Sequence, residues 1–151
     1  MAKISFRLVM PERELVNIEA DMVVVPGVEG DFGAMHGHAP LISIVRPGVL
    51  EVIQGSKVEQ RFMVVGGFAE VTPERCTVLA DEAVPLSSLD RGNLDQQQKS
   101  LEGTVASLRD QVARAIEGID RDRIAGELRA AERRLAVANA KLAALAAAGP
   151  S

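Results

Sequence analysis

The first 85 or so residues alternate apolar and polar positions with a period of two. In the opening run Ile4, Phe6 and Leu8 are separated by Ser5 and Arg7, so that one face of a strand would be apolar and the other polar. Similar short runs recur as MVVVP, PLISIV, GVLEVI, VEQRFMVV, FAEVT and CTVLA. Many short strands without a helical run between them predict an antiparallel sandwich or barrel.

Turn-forming residues separate these runs. The predicted turns lie at Pro26-Gly27, Pro47-Gly48, Gln54-Gly55-Ser56, Gly66-Gly67 and Thr72-Pro73. Glycine and proline are typical of such positions because they adopt the backbone angles that turns require. The spacing of the turns predicts short strands throughout this part of the chain.

After Leu86 the periodicity changes to that of a helix. The first apolar stripe comprises Leu94, Leu101, Val105, Leu108, Val112 and Ile116, and the second comprises Ile124, Leu128, Leu135, Leu142 and Leu145. These spacings predict a first helix over about Asp95 to Glu117 and a second helix after it. Gly118 is predicted to cap the end of the first helix and Asp120 the start of the second. A connection this short predicts an antiparallel hairpin, whose many alanines allow close approach but bury little area.

Composition and charge exclude several classes of protein. The 151-residue chain carries a formal charge of −4, whereas a nucleic-acid-binding domain normally shows a basic excess on one face. No apolar run approaches the length of a membrane-spanning helix, and the first ten residues do not resemble a signal peptide. The single cysteine, Cys76, lies in a strand-like run and is predicted to be buried. These features predict a cytosolic protein without bilayer insertion.

The only two histidines lie in the segment GDFGAMHGHAPLIS, residues 30–43. A metal site would need further converging ligands, and only Glu29 and Asp31 are near. A phosphate site would need a lysine and the start of a helix, and the segment has neither. Two interpretations remain and are compatible: His38 pins a turn by a local hydrogen bond, or the segment is a polar surface for another protein. No metal, cofactor or catalytic residue is predicted.

The order of the motifs in this chain is characteristic of one family. GDFGAMHGHAPLIS is followed by VRPGVLEV, by VVGGFAEVTPERCTVLADEA and by a helical tail ending in RRLAVANAKL. Over nearly its whole length the chain resembles the epsilon subunit of the rotary F-type ATP synthases, called delta in mitochondria. The resemblance implies a β + α fold, with an antiparallel sandwich of about ten strands over 1–86 and a two-helix hairpin over 87–151. It also implies a non-catalytic rotor subunit in the central stalk, peripheral to the cytoplasmic face of the bacterial plasma membrane.

The resemblance assigns partners to two surfaces. The sandwich would dock on the gamma subunit and on the ring of c subunits, which it would meet through Glu29, Asp31, Met35, His36 and His38. The hairpin, when extended, would meet the catalytic beta subunits and inhibit ATP hydrolysis through Arg121, Arg123, Arg129, Arg133 and Arg134. An ordinary solvated helix face, in which Arg123 pairs with Glu127 four residues later, is the alternative interpretation of these arginines.

Some members of the family also bind ATP, and this chain retains only part of that site. Asp90 and Arg134 match the family pattern, but Asn93 and Ala130 stand where arginines are expected. Without those guanidinium groups a triphosphate has little to neutralise it. An autonomous nucleotide-sensing module and a histidine-dependent metal enzyme are the alternatives from other functional classes.

Overall fold

The computed structural model describes residues 2–148, in which ten strands precede two helices. The strands are β1 (Ile4–Met10), β2 (Arg13–Ala20), β3 (Met22–Gly27), β4 (Gly30–Ala34), β5 (Leu41–Ile44), β6 (Gly48–Gln54), β7 (Lys57–Val65), β8 (Phe68–Val71), β9 (Arg75–Leu79) and β10 (Glu82–Pro85). A 3-10 turn (Leu86–Ser88) leads to the helices α1 (Arg91–Arg114) and α2 (Ile119–Ala148). The predicted β + α fold class is confirmed. Residue 1 and residues 149–151 of the predicted segments lie outside the described residues.

The strands form two five-stranded sheets. The first has the order β2-β1-β9-β8-β5 and the second β10-β7-β6-β3-β4. Only the β1–β9 pair is parallel among the described strands. Ile4, Phe6 and Leu8 are fully buried between the sheets, as the period-two pattern of β1 predicted. β5 and β4 are edge strands of their sheets, and a bridge from Gly27 to Val45 connects the chain at this side.

The strand that contains Pro26 extends further than predicted. Pro26 and Gly27 end β3 instead of forming a turn, and the turn to β4 lies at Val28 and Glu29. β6 pairs with β3 only over Met22–Val24, so the missing N–H of Pro26 interrupts no ladder between these strands. Sequence alone identified the turn-forming residues here but placed the turn two residues too early.

β7 is buried on both faces at one point. Phe62 and Val64 belong to the core between the sheets, and the intervening Met63, which lies on the opposite face of the strand, is also fully buried. The 3-10 turn that carries the buried Leu86 lies next to β7. Alternation therefore predicted the two faces of β7 correctly but did not predict that both would be covered.

The helical unit begins at Asp90, where the chain divides into two compact units. α1 starts earlier than predicted because Asp90 caps its first turn through a hydrogen bond from the backbone N of Asn93, and it also ends earlier, at Arg114, with Ala115 as its C-cap. Gly118, with φ of +148°, precedes α2, and its carbonyl accepts from Asp122 N. The predicted caps at Gly118 and Asp120 are therefore wrong. Asp120 lies in the first turn of α2, where its charge favours the helix dipole.

The two helices pack as the predicted antiparallel hairpin. Gln98 Nε2 donates to Asn139 Oδ1 at 2.7 Å, and Arg109 lies 3.5 Å from Glu132, so later residues of α1 pair with earlier residues of α2. The buried residues of α2 are three alanines rather than the leucines of the predicted stripe: Ala131, Ala138 and Ala144. The leucines flank this line and are half-buried.

Candidate functional site

The segment that carries both histidines is part strand and part loop. Gly30–Ala34 forms β4, and β5 begins at Leu41, so only residues 35–40 form the loop. This loop connects the edge strand of the second sheet to the edge strand of the first. A hydrogen bond of 2.7 Å from Gly37 N to Pro73 O ties it to the connection between β8 and β9. The loop therefore rests on both sheets.

The two histidines differ in their surroundings. His38 Nδ1 lies 2.6 Å from the carbonyl oxygen of Ala39, which can only accept, and the ring centroid of His38 is 6.4 Å from that of Phe32. The backbone N of His38 also donates to Met35 O. The predicted local hydrogen bond of His38 is thus confirmed. His36 and Met35 are exposed at the tip of the same loop.

The two acidic residues before the loop also differ. Glu29 lies in the exposed turn between β3 and β4, and no side chain within residues 2–148 pairs with it. Asp31 lies on β4, where its Oδ1 accepts from Arg46 Nη2 at 2.6 Å. Arg46 was not singled out from the sequence. Arg46 lies in the VRPG motif, but its partner Asp31 is 15 residues away, and a pair at that distance produces no periodic pattern in the sequence.

An exposed apolar row crosses the outer face of the first sheet, next to these acidic residues. Ile44 is paired with Phe68, Phe68 with Leu79, and Leu79 with Val9, while Val28 N donates to Ile44 O. The exposed fractions are 63% for Ile44, 45% for Phe68, 38% for Leu79 and 54% for Val28. A contiguous exposed apolar surface of this kind is typical of a protein interaction site. The outward positions of β5 and β8 carried this signal in the sequence, but it was not recognised.

The arginines of the second helix fall into two groups. Arg121 lies 3.7 Å from Glu117, and Arg123 lies 3.1 Å from Glu127, which confirms the predicted i,i+4 pair. The other three are exposed and have no ion pair within residues 2–148: Arg129, Arg133 and Arg134. The helix therefore presents unneutralised positive charge only beyond its first turns.

Other chemically capable groups have structural surroundings. The carboxylate of Asp90 is engaged as the cap of α1. The thiol of Cys76 is fully buried, as predicted, and burial raises its pKa to about 12, so it is not a nucleophile in the native state. Within residues 2–148 no three His, Cys, Asp or Glu side chains converge as metal ligands would. In the same part of the chain no helix is long and apolar enough to cross a bilayer.

Comparison with known proteins identifies relatives of both parts of the chain. Residues 3–86 match the family described as ATP synthase, Delta/Epsilon chain, beta-sandwich domain. The chain is 62% identical over 85 residues to the ATP synthase epsilon chain of Rhodospirillum rubrum, a match that covers 56% of this chain and 63% of that one. It is 44% identical over 142 residues to the ATP synthase epsilon chain of Rhodospirillum centenum, which covers 93% and 90% of the two chains.

Two solved structures share the fold. A chain in the Euglena gracilis mitochondrial ATP synthase, OSCP/F1/c-ring in rotational state 1, superposes with a TM-score of 0.69 at 22% identity over 95% of this chain and 82% of that one. A chain in the Tetrahymena thermophila mitochondrial ATP synthase, central stalk/c-ring, gives 0.51 at 15% identity over 91% and 96%. Both likenesses concern the fold alone.

Proposed function

The chain belongs to the family of delta and epsilon chains of ATP synthases, and from this premise we propose that it is a non-catalytic rotor subunit of the central stalk. In this role it couples rotation of the c-ring, through gamma, to ATP synthesis at the catalytic beta subunits. It is peripheral to the cytoplasmic face of the bacterial plasma membrane. The sandwich serves as the docking unit and the hairpin as the regulatory unit.

The observation that carries this proposal is the exposed apolar row beside an acidic turn. Ile44 lies on the edge strand β5 and Phe68 on its paired neighbour β8, and the residues that follow them in sequence, Val45 and Ala69, are buried in the core. A surface built on a rigid sheet loses little conformational entropy when it docks, which suits a subunit that must transmit torque. Burial of the row against gamma removes apolar area from water.

The acidic turn provides the second contact. Glu29 is exposed in the turn before β4, and Met35 and His36 are exposed in the loop after it, at the opposite end of that strand. We assign these residues, with Asp31 and His38, to contact with polar loops of the c-ring. One exposed ion pair contributes only about 0–1 kcal/mol. Stable binding to the synthase therefore depends on the apolar row together with several polar contacts.

Substitution within the apolar row tests the docking. The full-length chain is mixed with purified gamma, and the dissociation constant is measured for wild type, Ile44→Asp and Ile116→Asp. Ile44→Asp places a charge in the row and is expected to weaken binding about tenfold to a hundredfold. Ile116 is 89% exposed in the hairpin connection, so Ile116→Asp is a matched control that should bind like wild type.

Two results would contradict the proposal. Wild-type chain that fails to bind gamma would remove the central-stalk assignment. Equal weakening by Ile44→Asp and Ile116→Asp would show that the apolar row is not the docking surface, although the chain could still be a stalk subunit. Circular dichroism of each variant confirms that the fold is retained.

The hairpin is proposed to inhibit ATP hydrolysis weakly, by electrostatic attraction to the beta subunits. The exposed guanidinium groups of Arg129, Arg133 and Arg134 suit an acidic segment of the beta subunits, with Arg121 and Arg123 available after exchange of their present partners. The nucleotide site is incomplete, because Asp90 is engaged as a cap and Arg134 stands without the arginines expected at Asn93 and Ala130. Inhibition should therefore not depend on ATP, and it should decrease as salt rises.

A further inference from the structure

The segment Ile44–Arg46 joins the two sheets at the side of the sandwich that carries the apolar row and the acidic turn. Arg46 N donates to Pro26 O at 2.9 Å, and Val28 N donates to Ile44 O at 3.0 Å. Between them, Val45 bridges to Gly27. The last residue of β5 and the two residues after it are thus bound to the last residues of β3 and the turn that follows it.

The side chain of Arg46 adds two bonds across the same place. Its Nη1 donates to Gly27 O and its Nη2 to Asp31 Oδ1, both at 2.6 Å. Gly27 and Asp31 lie on the two strands that flank the turn at Glu29, where Gly27 pairs with Gly30. A guanidinium holds its donors in one rigid plane, so a single side chain can brace both strands of this hairpin.

The hydrogen bonds of Arg46 determine which carboxylate of the turn region stays unpaired. Asp31 is neutralised by Arg46, whereas Glu29 has no partner within residues 2–148. We infer that Arg46 is a positioning residue: it holds the β3–β4 turn and neutralises Asp31, so that Glu29 is the carboxylate presented to basic side chains in the polar loops proposed to contact it on the c-ring. This inference rests on the proposed function, and it assigns Glu29 and Asp31 different roles in the same surface.

The inference predicts an effect opposite to that of charge alone. Arg46→Gln removes a positive charge and leaves Asp31 unpaired, which makes the edge more negative. If only charge mattered, binding to a basic partner would become tighter. If Arg46 positions the turn, binding becomes weaker, while its dependence on salt becomes steeper because one more free carboxylate is present.

Arg61 offers a matched control. Its Nε lies 3.0 Å from Glu51 Oε2 on the second sheet, and its side chain is 44% exposed, compared with 41% for Arg46. Arg61→Gln thus removes a similarly exposed ion pair outside the docking edge. Arg46→Lys is the charge-conserving variant, since an ammonium group retains the charge but lacks the rigid planar fork of donors.

The experiment measures the dissociation constant of each full-length variant for ATP synthase depleted of this chain, at low and high salt. Arg46→Gln is expected to bind about threefold to tenfold more weakly at low salt, with a steeper salt dependence. Arg46→Lys should restore the wild-type salt dependence but only part of the affinity, because an ammonium group lacks the planar fork that reaches both strands, and Arg61→Gln should bind like wild type. Glu29→Gln should weaken binding and flatten the salt dependence, whereas the double variant Arg46→Gln with Asp31→Asn, in which the net charge of the edge is unchanged, should bind more weakly but keep the wild-type salt dependence.

Several outcomes would overturn the inference. Arg46→Gln binding as tightly as wild type, or more tightly, would show that the residue does not position the turn. Equal loss in Arg46→Gln and Arg61→Gln, parallel to a fall in melting temperature, would show a merely structural role. Loss of salt dependence in the double variant but not in Glu29→Gln would reverse the assigned roles of Asp31 and Glu29. Wild-type chain that fails to bind the depleted synthase would instead remove the proposed function, and the inference with it.

Discussion

The sandwich and the hairpin differ in what fills their cores. Between the sheets, Ile4, Phe6 and Leu50 are fully buried, whereas the buried line of α2 consists of Ala131 and Ala138 with Ala144. An alanine removes much less apolar area from water than a leucine or phenylalanine does. Burial within the sandwich therefore contributes more free energy of folding than burial within the hairpin.

The largest expected effect is on the sandwich core. Phe6→Ala should lower the free energy of unfolding of the sandwich by about 3–5 kcal/mol, since the removed ring leaves a cavity. Leu135→Ala, at a half-buried site of α2, should destabilise the hairpin by about 1 kcal/mol. Hydrogen exchange resolved by residue measures each unit in the full chain. Similar losses in both variants would contradict the difference between the two cores.

A substitution on the alanine line should have the next largest effect. Ala138 is 3% exposed, so Ala138→Leu would force the helices apart and destabilise the hairpin by about 1–3 kcal/mol. Ala143 is exposed on the same helix, and Ala143→Leu should change stability little. The helical circular dichroism signal during thermal unfolding reports both variants. Hairpin stability unchanged by Ala138→Leu would mean that the helices are not closely packed.

The buried thiol makes the sandwich sensitive to alkaline pH. Burial raises the pKa of Cys76 from 9.0 to about 12, so the folded state keeps a proton that the unfolded state releases above pH 9. Stability is thus fully present well below pH 9 and decreases between pH 9 and 12, by about 1–2 kcal/mol at pH 10. Denaturant unfolding at pH 8 and pH 10 should show this decrease in the wild type. A decrease of the same size in Cys76→Ala would exclude the thiol as its cause.

A helical glycine offers a way to strengthen the weaker unit. A Cβ on Gly103 would meet no atom within 4 Å, so Gly103→Ala should stabilise α1 by about 0.5–1 kcal/mol. Gly118, by contrast, has φ of +148°, and Gly118→Ala should destabilise the connection. Thermal unfolding followed at the helical signal compares the two. Stabilisation by both substitutions would show that the backbone of Gly118 does not require glycine.

The smallest expected effect concerns the proposed inhibition of ATP hydrolysis by the hairpin. A chain ending at Leu89, the last residue of the sandwich unit, should still dock and should raise ATP hydrolysis about twofold, a small change in activation free energy. The increase should be the same at low and high ATP, because a ligand with equal affinity for two states does not shift their equilibrium. Hydrolysis by depleted synthase with each chain added back is the measurement. An increase that vanishes as ATP rises would show that the incomplete nucleotide site is functional.

Local periodicity in the sequence was sufficient to predict the elements whose apolar face packs against a single core. β1 and the two helices were predicted from patterns in which each residue's neighbours lie within four positions. The helix ends were predicted less well, because Asp90 and Gly118 compete with other residues that can cap a helix. The motif order was sufficient for the family, and His38 was correctly predicted to bond locally.

Contacts between distant residues were decided only by the tertiary structure. The glycine-rich β4 became a strand because β3 pairs with it, Met63 was buried although it faces away from the main core, and Asp31 found its partner at Arg46. The exposure of the apolar row was likewise not predictable from the sequence, because alternation does not distinguish a covered face of a strand from an uncovered face when both are apolar. A sequence pattern specifies which side chains share a face. Whether that face is covered by another part of the chain or left free for a partner is decided only when distant segments fold together.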